Sequence, residues 1–262
     1  MENQSGSNPM YAMERQQRIL GETRSAGRVE VASLADVFGV TPETIRRDLT
    51  LLERRGSLRR VHGGAIPVER LGMEPTLVAR SEHHMDAKRR IAARVLQELP
   101  ADATILLDAG STTQELVNQL PADSRFTILT NSIPIAASLV GRSNITLYVV
   151  GGLVRGVTGA AVGDWAPTAL ADVVADVAVL GTNGISASRG LTTPNQAEAA
   201  VKIAMVSAAK RVIVATDSSK AGDDHLHRFA HLSDVDLVVT DTELADEIAE
   251  EWRVAGPEVV AA

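Results

Sequence analysis

The sequence contains no cysteine, which excludes a disulfide framework, a thiolate zinc site and a cysteine nucleophile. It has no run of about 18 consecutive apolar residues, the length a membrane helix needs. Its opening stretch from Met1 to Met10 is rich in Ser, Asn and Gln and lacks the basic-then-apolar order of a secretory leader. The expectation is a soluble, cytoplasmic chain with no membrane partner. Neither G-x-G-x-x-G nor G-x-x-x-x-G-K-S/T follows a strand candidate, and Gly181 and Gly184 are too sparse to replace them. That argues against dinucleotide binding and nucleotide hydrolysis, and no cofactor is expected.

What is present suits two domains: 262 residues, 45% of them hydrophobic, are enough for one small and one larger core. The net charge of -7 is unevenly spread. Residues 1 to 65 carry ten arginines and eight acids, whereas residues 66 to 262 carry sixteen basic residues and twenty-five acids. Only the first part is a candidate for a polyanion. Within it, Pro42 to His62 sets six arginines against Glu43, Asp48 and Glu53.

After a disordered tail expected over residues 1–12, helix-forming residues run from Met13 to Thr23 and stop at Ser25-Ala26-Gly27. Ser33 and Asp36 have capping-box spacing and predict a second short helix closed by Phe38-Gly39. Thr41-Pro42 supplies an N-cap and a first-turn proline for a third helix running to about Arg54. On it Ile45, Leu49 and Leu52 form a buried stripe, while Glu43, Arg46, Arg47, Thr50 and Arg54 share the opposite face. Two adjacent arginines near the start of such a helix suit guanine edges or phosphates in the major groove. Leu58 to Gly64 reads as a short basic hairpin, a wing against the DNA backbone. A cluster of arginines alone would more often be a solvated face. The short helices, the capped third helix and the basic hairpin together favour DNA.

Thr41-Pro42-Glu43-Thr44-Ile45-Arg46-Arg47-Asp48-Leu49, followed by Leu52, Gly56 and Val61-His62-Gly63-Gly64-Ala65, resembles the DNA-binding signature of the DeoR family of bacterial regulators. The resemblance implies a winged helix-turn-helix over residues 13–67 that represses a sugar-catabolism or sugar-uptake operon. Thr41, Glu43, Thr44, Arg46, Arg47, Thr50, Arg59, Arg60 and His62 are the expected DNA contacts.

Residues 68–85 have poor periodicity and read as a linker. From Lys88 a helix leads into strand candidates at 104–107, 126–129, 145–150, 177–180, 212–215 and 237–239, separated by helical stretches. Apolar strands alternating with helices predict a mostly parallel α/β domain over 86–262. Small polar residues follow each strand, where open α/β sheets place ligands. Asp108-Ala109-Gly110-Ser111-Thr112-Thr113 opens a helix, and its glycine, hydroxyls and free N–H groups suit a phosphate. Past a loop at Gly190, Glu198 and Lys202 are four apart on a helix and read as a surface pair.

The resemblance extends through Asp-Ala-Gly-Ser-Thr-Thr at 108–113, Thr-Asn-Ser at 130–132, Gly-Gly at 151–152, Gly-Leu-Thr-Thr from 190 and Asp-Ser-Ser-Lys at 217–220. These strings look like the DeoR sensor domain, similar in fold to ribose-5-phosphate isomerase. By that likeness Gly110, Ser111, Thr112 and Thr113 hold phosphate, and Asp108, Asn131, Gly152, Asn183 and Lys220 line a sugar pocket. A phosphorylated sugar would release the protein from its operator, and a homodimer or homotetramer is implied. The competing reading is a sugar-phosphate isomerase with Asp108 and Lys220 in catalytic roles, for which the N-terminal segment has no use. His225, His227 and His231 have metal-ligand chemistry but sit in a solvated loop beside Asp223 and Asp224, so no metal is expected.

Overall fold

The computed structural model describes residues 12–54, 57–61, 63–67 and 76–262. The chain divides between residues 74 and 75 into two compact units.

In the first unit, α1 (Ala12–Ala26), β1 (Val29–Glu30), α2 (Val31–Phe38) and α3 (Pro42–Arg54) precede β2 (Leu58–Val61) and β3 (Gly64–Pro67). The three strands form an antiparallel sheet in the order β1-β3-β2. Thr41 caps α3 as expected, its Oγ1 accepting from the Thr44 N–H at 3.2 Å. Ile45, Leu49 and Leu52 are buried with Ile19, Leu34 and Leu58 in one small core, each large side chain contributing roughly 1.5–3 kcal/mol. The basic hairpin is present as β2 and β3.

The capping box expected at Ser33 is not used, because α2 already begins at Val31 behind Glu30, whose side chain makes no cap. Pairing decides this. β1 is held against β3, and the Val31 N–H donates to the Gly63 carbonyl at 2.8 Å, so a first-turn donor is satisfied by the wing. The same contact explains two glycines: Gly63 has φ +73°, and a Cβ on Gly64 would lie 1.9 Å from the Val29 carbonyl oxygen.

The second unit comprises α4 (Leu77–Glu82), α5 (Met85–Leu96), β4 (Thr104–Leu107), α6 (Ser111–Asn118), β5 (Phe126–Thr130), α7 (Ile133–Leu139) and β6 (Ile145–Val149). There follow β7 (Leu153–Val154), β8 (Ala161–Val162), α8 (Trp165–Leu170), β9 (Ala175–Leu180), β10 (Gly184–Ser186), β11 (Gly190–Thr193) and α9 (Gln196–Ser207). The unit ends with β12 (Ala209–Ala215), β13 (His227–Ala230), β14 (Leu237–Thr240), α10 (Asp246–Ala255) and β15 (Glu258–Ala261). Seven strands make a parallel sheet in the order β15-β14-β12-β9-β4-β5-β6. Apolar layers cover both faces, α5, α6 and α7 on one side and α8, α9 and α10 on the other, which is why its central strands read as unbroken apolar runs.

Three sequence expectations change here. Residues 76–82 were expected to belong to a linker, but Thr76 caps α4 through its side chain and the Leu77 N–H donates to the Val157 carbonyl at 2.8 Å. Gly190, expected in a loop, instead opens β11, in an antiparallel β10-β11-β13 sheet. Gly190, with φ +75°, packs where a Cβ would meet the Ala230 carbonyl oxygen at 2.3 Å. The edge strand β15 was not anticipated, since its short Val-Val-Ala run has no flanking periodicity and is recruited by pairing with β14.

Candidate functional site

On the first unit the exposed face of α3 carries the expected charges. Glu43 lies 3.3 Å from Arg46 Nη1 and 3.9 Å from Arg47 Nε, with Arg47 82% exposed. Solvent-exposed pairs at this spacing are worth about 0.3–0.5 kcal/mol, so a phosphate or base edge displaces them at little cost. Thr44 shares a hydrogen bond with Thr41 Oγ1 at 2.9 Å. Thr50 and Arg60 are already engaged: Arg60 Nη1 donates to Thr50 Oγ1 at 2.9 Å, and the Arg60 N–H donates to Glu53 Oε1 at 2.8 Å. They tie the wing to α3. Arg59 is exposed on β2, and His62 lies outside the described residues. Asp48, within the same motif, is buried instead and accepts from Arg15 Nε at 2.6 Å and Gln16 Nε2 at 2.8 Å, fastening α1 to α3. Its position between Ile45 and Leu52 on the apolar stripe was the available signal.

On the second unit the parallel sheet reverses its order between β4 and β9, and ligands of open α/β sheets sit at the carboxyl ends of strands flanking such a reversal. Gly110 caps α6, and the first helical bond runs from the Gln114 N–H to the Gly110 carbonyl at 3.0 Å, so the N–H groups ahead of it lack intrahelical partners. Ser111 and Thr112 are buried, yet their hydroxyls have no partner among the described residues. Thr113 differs. Its hydroxyl donates to the Asp108 carbonyl at 2.7 Å and lies 3.0 Å from the Gly110 carbonyl, holding the turn closed.

Asp108, 2% exposed, is ion-paired through Oδ2 with Lys202, which also donates to the Gly181 carbonyl at 2.9 Å. The Gly181 N–H reaches the same carboxylate oxygen at 3.2 Å. Burial raises the Asp108 carboxyl above its usual range, with Lys202 opposing. Glu198 and Lys202 do not form the surface pair that their spacing suggests: both are buried and face different partners. Glu198 is ion-paired with Arg155 and accepts from Thr158 Oγ1 at 2.7 Å. Their place on the stripe with Val201 and Met205 was the signal that they point inward.

The remaining expected residues spread along the sheet edge. Asn131 directly follows β5, donates from Nδ2 to the Ala161 carbonyl at 3.1 Å and leaves Oδ1 buried without a partner. Asn183 Oδ1 accepts from Thr193 Oγ1 at 3.1 Å. Gly152 has φ +149°, and a Cβ there would meet the Val162 carbonyl oxygen at 2.3 Å, so close packing on β8 accounts for that glycine. Lys220 follows β12 beside Asp217. Burial disfavours the Asp217 carboxylate, but the Lys220 charge and the Ser219 hydroxyl outweigh it and hold the carboxyl below its ordinary range. With Asp108 after β4, these residues follow five neighbouring strands from β6 to β12, roughly 19 Å at about 4.8 Å per step. Gly152 and Lys220 therefore flank a centre at β9-β4-β5. Among the described residues no cluster of His, Asp or Glu suits a metal.

A further cation in this region went unnoticed in the sequence. Lys88 is buried on the first turn of α5, and its ammonium donates to the carbonyls of Arg80 and, at 2.6 Å, His83. Burial lowers it from 10.5 to about 8, with Asp217 opposing and Lys220 and Arg80 reinforcing. Its position in the stripe of Ile91, Ala92 and Val95 again marked a charge turned inward.

Residues 15–70 match the DeoR-like helix-turn-helix domain, and residues 83–242 match the DeoR C-terminal sensor domain. The chain is 38% identical to the HTH-type transcriptional regulator GlpR of Haloferax volcanii, across 96% of this chain and 98% of that one. It is 33% identical to the uncharacterised HTH-type regulator FruR of Bacillus subtilis, over 89% of this chain and 93% of the other. The HTH-type regulator IolR of the same organism is 30% identical over 85% and 88% of the two chains. Among solved structures, ribose 5-phosphate isomerase A of Neisseria gonorrhoeae aligns at TM-score 0.38 and 15% identity over 51% of this chain and 52% of that one. An initiation factor eIF-2B of Pyrococcus horikoshii aligns at 0.43 and 14% over 83% and 69%. At such scores these likenesses bear no weight on the site.

Proposed function

The chain belongs to the DeoR family of transcriptional regulators and is not an enzyme, and from that premise we propose that it represses a sugar-catabolism or sugar-uptake operon and is released by a phosphorylated sugar. The observation that carries the effector half is the pair of partnerless hydroxyls on Ser111 and Thr112, set beside the unpaired N–H groups at the start of α6. Hydroxyls and helix-end N–H groups are donors, and phosphate oxygens are acceptors. The orphaned Asn131 Oδ1 is the converse, an acceptor suited to a sugar hydroxyl. Asp108 is engaged by Lys202 and acts in this reading as the floor of the site.

For DNA, Arg46 and Arg47 face the major groove and Arg59 a neighbouring backbone. One such module binds weakly, so a homodimer or homotetramer in the cytoplasm places two α3 helices on operator half-sites about one helical turn apart. The effector releases the operator only if it binds the DNA-incompetent arrangement more tightly.

The test pairs thermal shift with gel shift. Purified full-length protein is exposed to fructose 1-phosphate, fructose 6-phosphate, glucose 6-phosphate, ribose 5-phosphate and glycerol 3-phosphate, each beside its unphosphorylated counterpart. At least one ester is expected to raise the melting temperature and dissociate the upstream DNA fragment, while its parent compound does neither. A protein that holds its operator unchanged against all five sinks the reading.

A further inference from the structure

α4 is a six-residue helix, too short to persist without tertiary support. Its start is held by the Val157 carbonyl, which accepts from the Leu77 N–H at 2.8 Å. Its end is held by Lys88, whose ammonium takes the carbonyls of Arg80 and His83. An ammonium has three N–H donors, and two are used here. No carboxylate pairs with Lys88 among the described residues, so a 4% exposed cation is served only by neutral oxygens and has a donor to spare.

The location of that cation gives the arrangement its meaning. α5 leads into β4, which runs the opposite way, so the first turn of α5 lies at the carboxyl edge of the sheet, where Ser111, Thr112 and Lys220 are found. α5 packs along α6, and α4 also touches α6. The charges that act on Lys88 come from every side of this edge: Asp217 and Lys220 after β12, Arg80 on α4 and Glu115 on α6.

We propose that Lys88 is a further effector-site residue, an ammonium that clamps the end of α4 in the empty state and turns to the anion when one occupies the neighbouring strand ends. This rests on the anion site proposed at Ser111 and Thr112. A hydrogen bond from a cation to a phosphate is roughly twice as strong as one between neutral groups, so a dianion outcompetes two carbonyls for the ammonium. Once it turns, the end of α4 loses the two hydrogen bonds from the ammonium and α4 loosens. α4 is the first described element beyond the chain segment leading from the DNA-binding unit, which makes it the place where occupancy of the sheet edge is passed towards DNA.

Hydrogen exchange on the full-length chain tests this, with inorganic phosphate as the probe and chloride at matched ionic strength as the control. Phosphate is expected to slow exchange at residues 110–114 and to speed it several-fold over residues 77–84. In Lys88→Met the second peptide should exchange fast from the outset and ignore phosphate, and Lys88→Arg should restore part of the protection. If 110–114 are protected while 77–84 stay unchanged or slow down in the wild type, the anion site stands and the clamp is overturned. If 110–114 gain no protection, the anion site itself is wrong and the clamp falls with it. Both outcomes are read on the wild-type protein, so a variant that folds poorly does not blunt the test.

Discussion

The charges on α3 and the charges at the strand ends of the second unit are handled in opposite ways. On α3, Glu43, Arg46 and Arg47 stand in water, pair loosely with one another along their own helix, and stay available. At the strand ends, Lys202, Asp108, Glu198, Arg155 and Lys88 are withdrawn from water and reach across to other elements, Lys202 to Asp108, Arg155 to Glu198 and Lys88 to the end of α4. An exposed charge costs little to leave without a firm partner, so α3 can carry its charges at the surface. A buried charge without a partner costs several kcal/mol, so it is spent on structure. The hydroxyls of Ser111 and Thr112, the Asn131 Oδ1 and the one donor that Lys88 keeps to spare are exceptions within the second region, and they are proposed to serve the ligand for that reason.

The contrast breaks most visibly at Lys202. Lys202→Met leaves the Asp108 carboxylate buried and unpaired, and a loss of about 3–5 kcal/mol is expected in urea unfolding, partly recovered by adding Asp108→Asn. A loss below about 1 kcal/mol would mean that the pair is not structural. Next in size, Arg46→Ala and Arg47→Ala should each weaken operator binding by about 1–3 kcal/mol, read by gel shift, with the melting temperature unmoved. Equal operator affinity in both variants would remove α3 from the groove.

The two roles meet within one turn of α6, which sharpens the comparison. Ser111→Ala with Thr112→Ala should weaken sugar-phosphate binding about tenfold in calorimetry and leave stability and operator affinity alone. Thr113→Ala should instead cost about 1 kcal/mol of stability, because its hydroxyl closes the turn. Reversal of that pattern would exchange the two assignments.

A further effect, graded with pH, is expected at Lys88. Its folded pKa, about 8 against 10.5 ordinarily, means that between these values the unfolded chain holds the proton more firmly than the folded one. Stability from this group therefore rises with pH across that window and is flat below it. Urea midpoints of the wild type should gain on those of Lys88→Met between about pH 8 and 10, and parallel curves would place the ammonium in water.

Reading the residues in order located α3, its cap, its apolar stripe and its arginine face, because each depends on spacing along one helix. The same is true of six sheet strands and of the polar strings that follow them. The Ser33 cap failed because a donor at the start of α2 was satisfied by Gly63, thirty-two residues on. Residues 76–82 looked like a linker because what holds α4 comes from Val157 and Lys88 and not from its own periodicity. Glu198 and Lys202 looked like a surface pair because four residues on a helix put two side chains on one face without saying which face is inside.

By itself the amino-acid order determined the two-part architecture, the family and the hydroxyl string that opens α6, since helix caps, apolar stripes and strand-end motifs are properties of neighbours in the chain. Tertiary structure alone decided which of the candidate polar groups remain free. Whether a buried carboxylate or ammonium is available depends on a partner brought within hydrogen-bond reach from far along the sequence, and that proximity exists only once the sheet has formed.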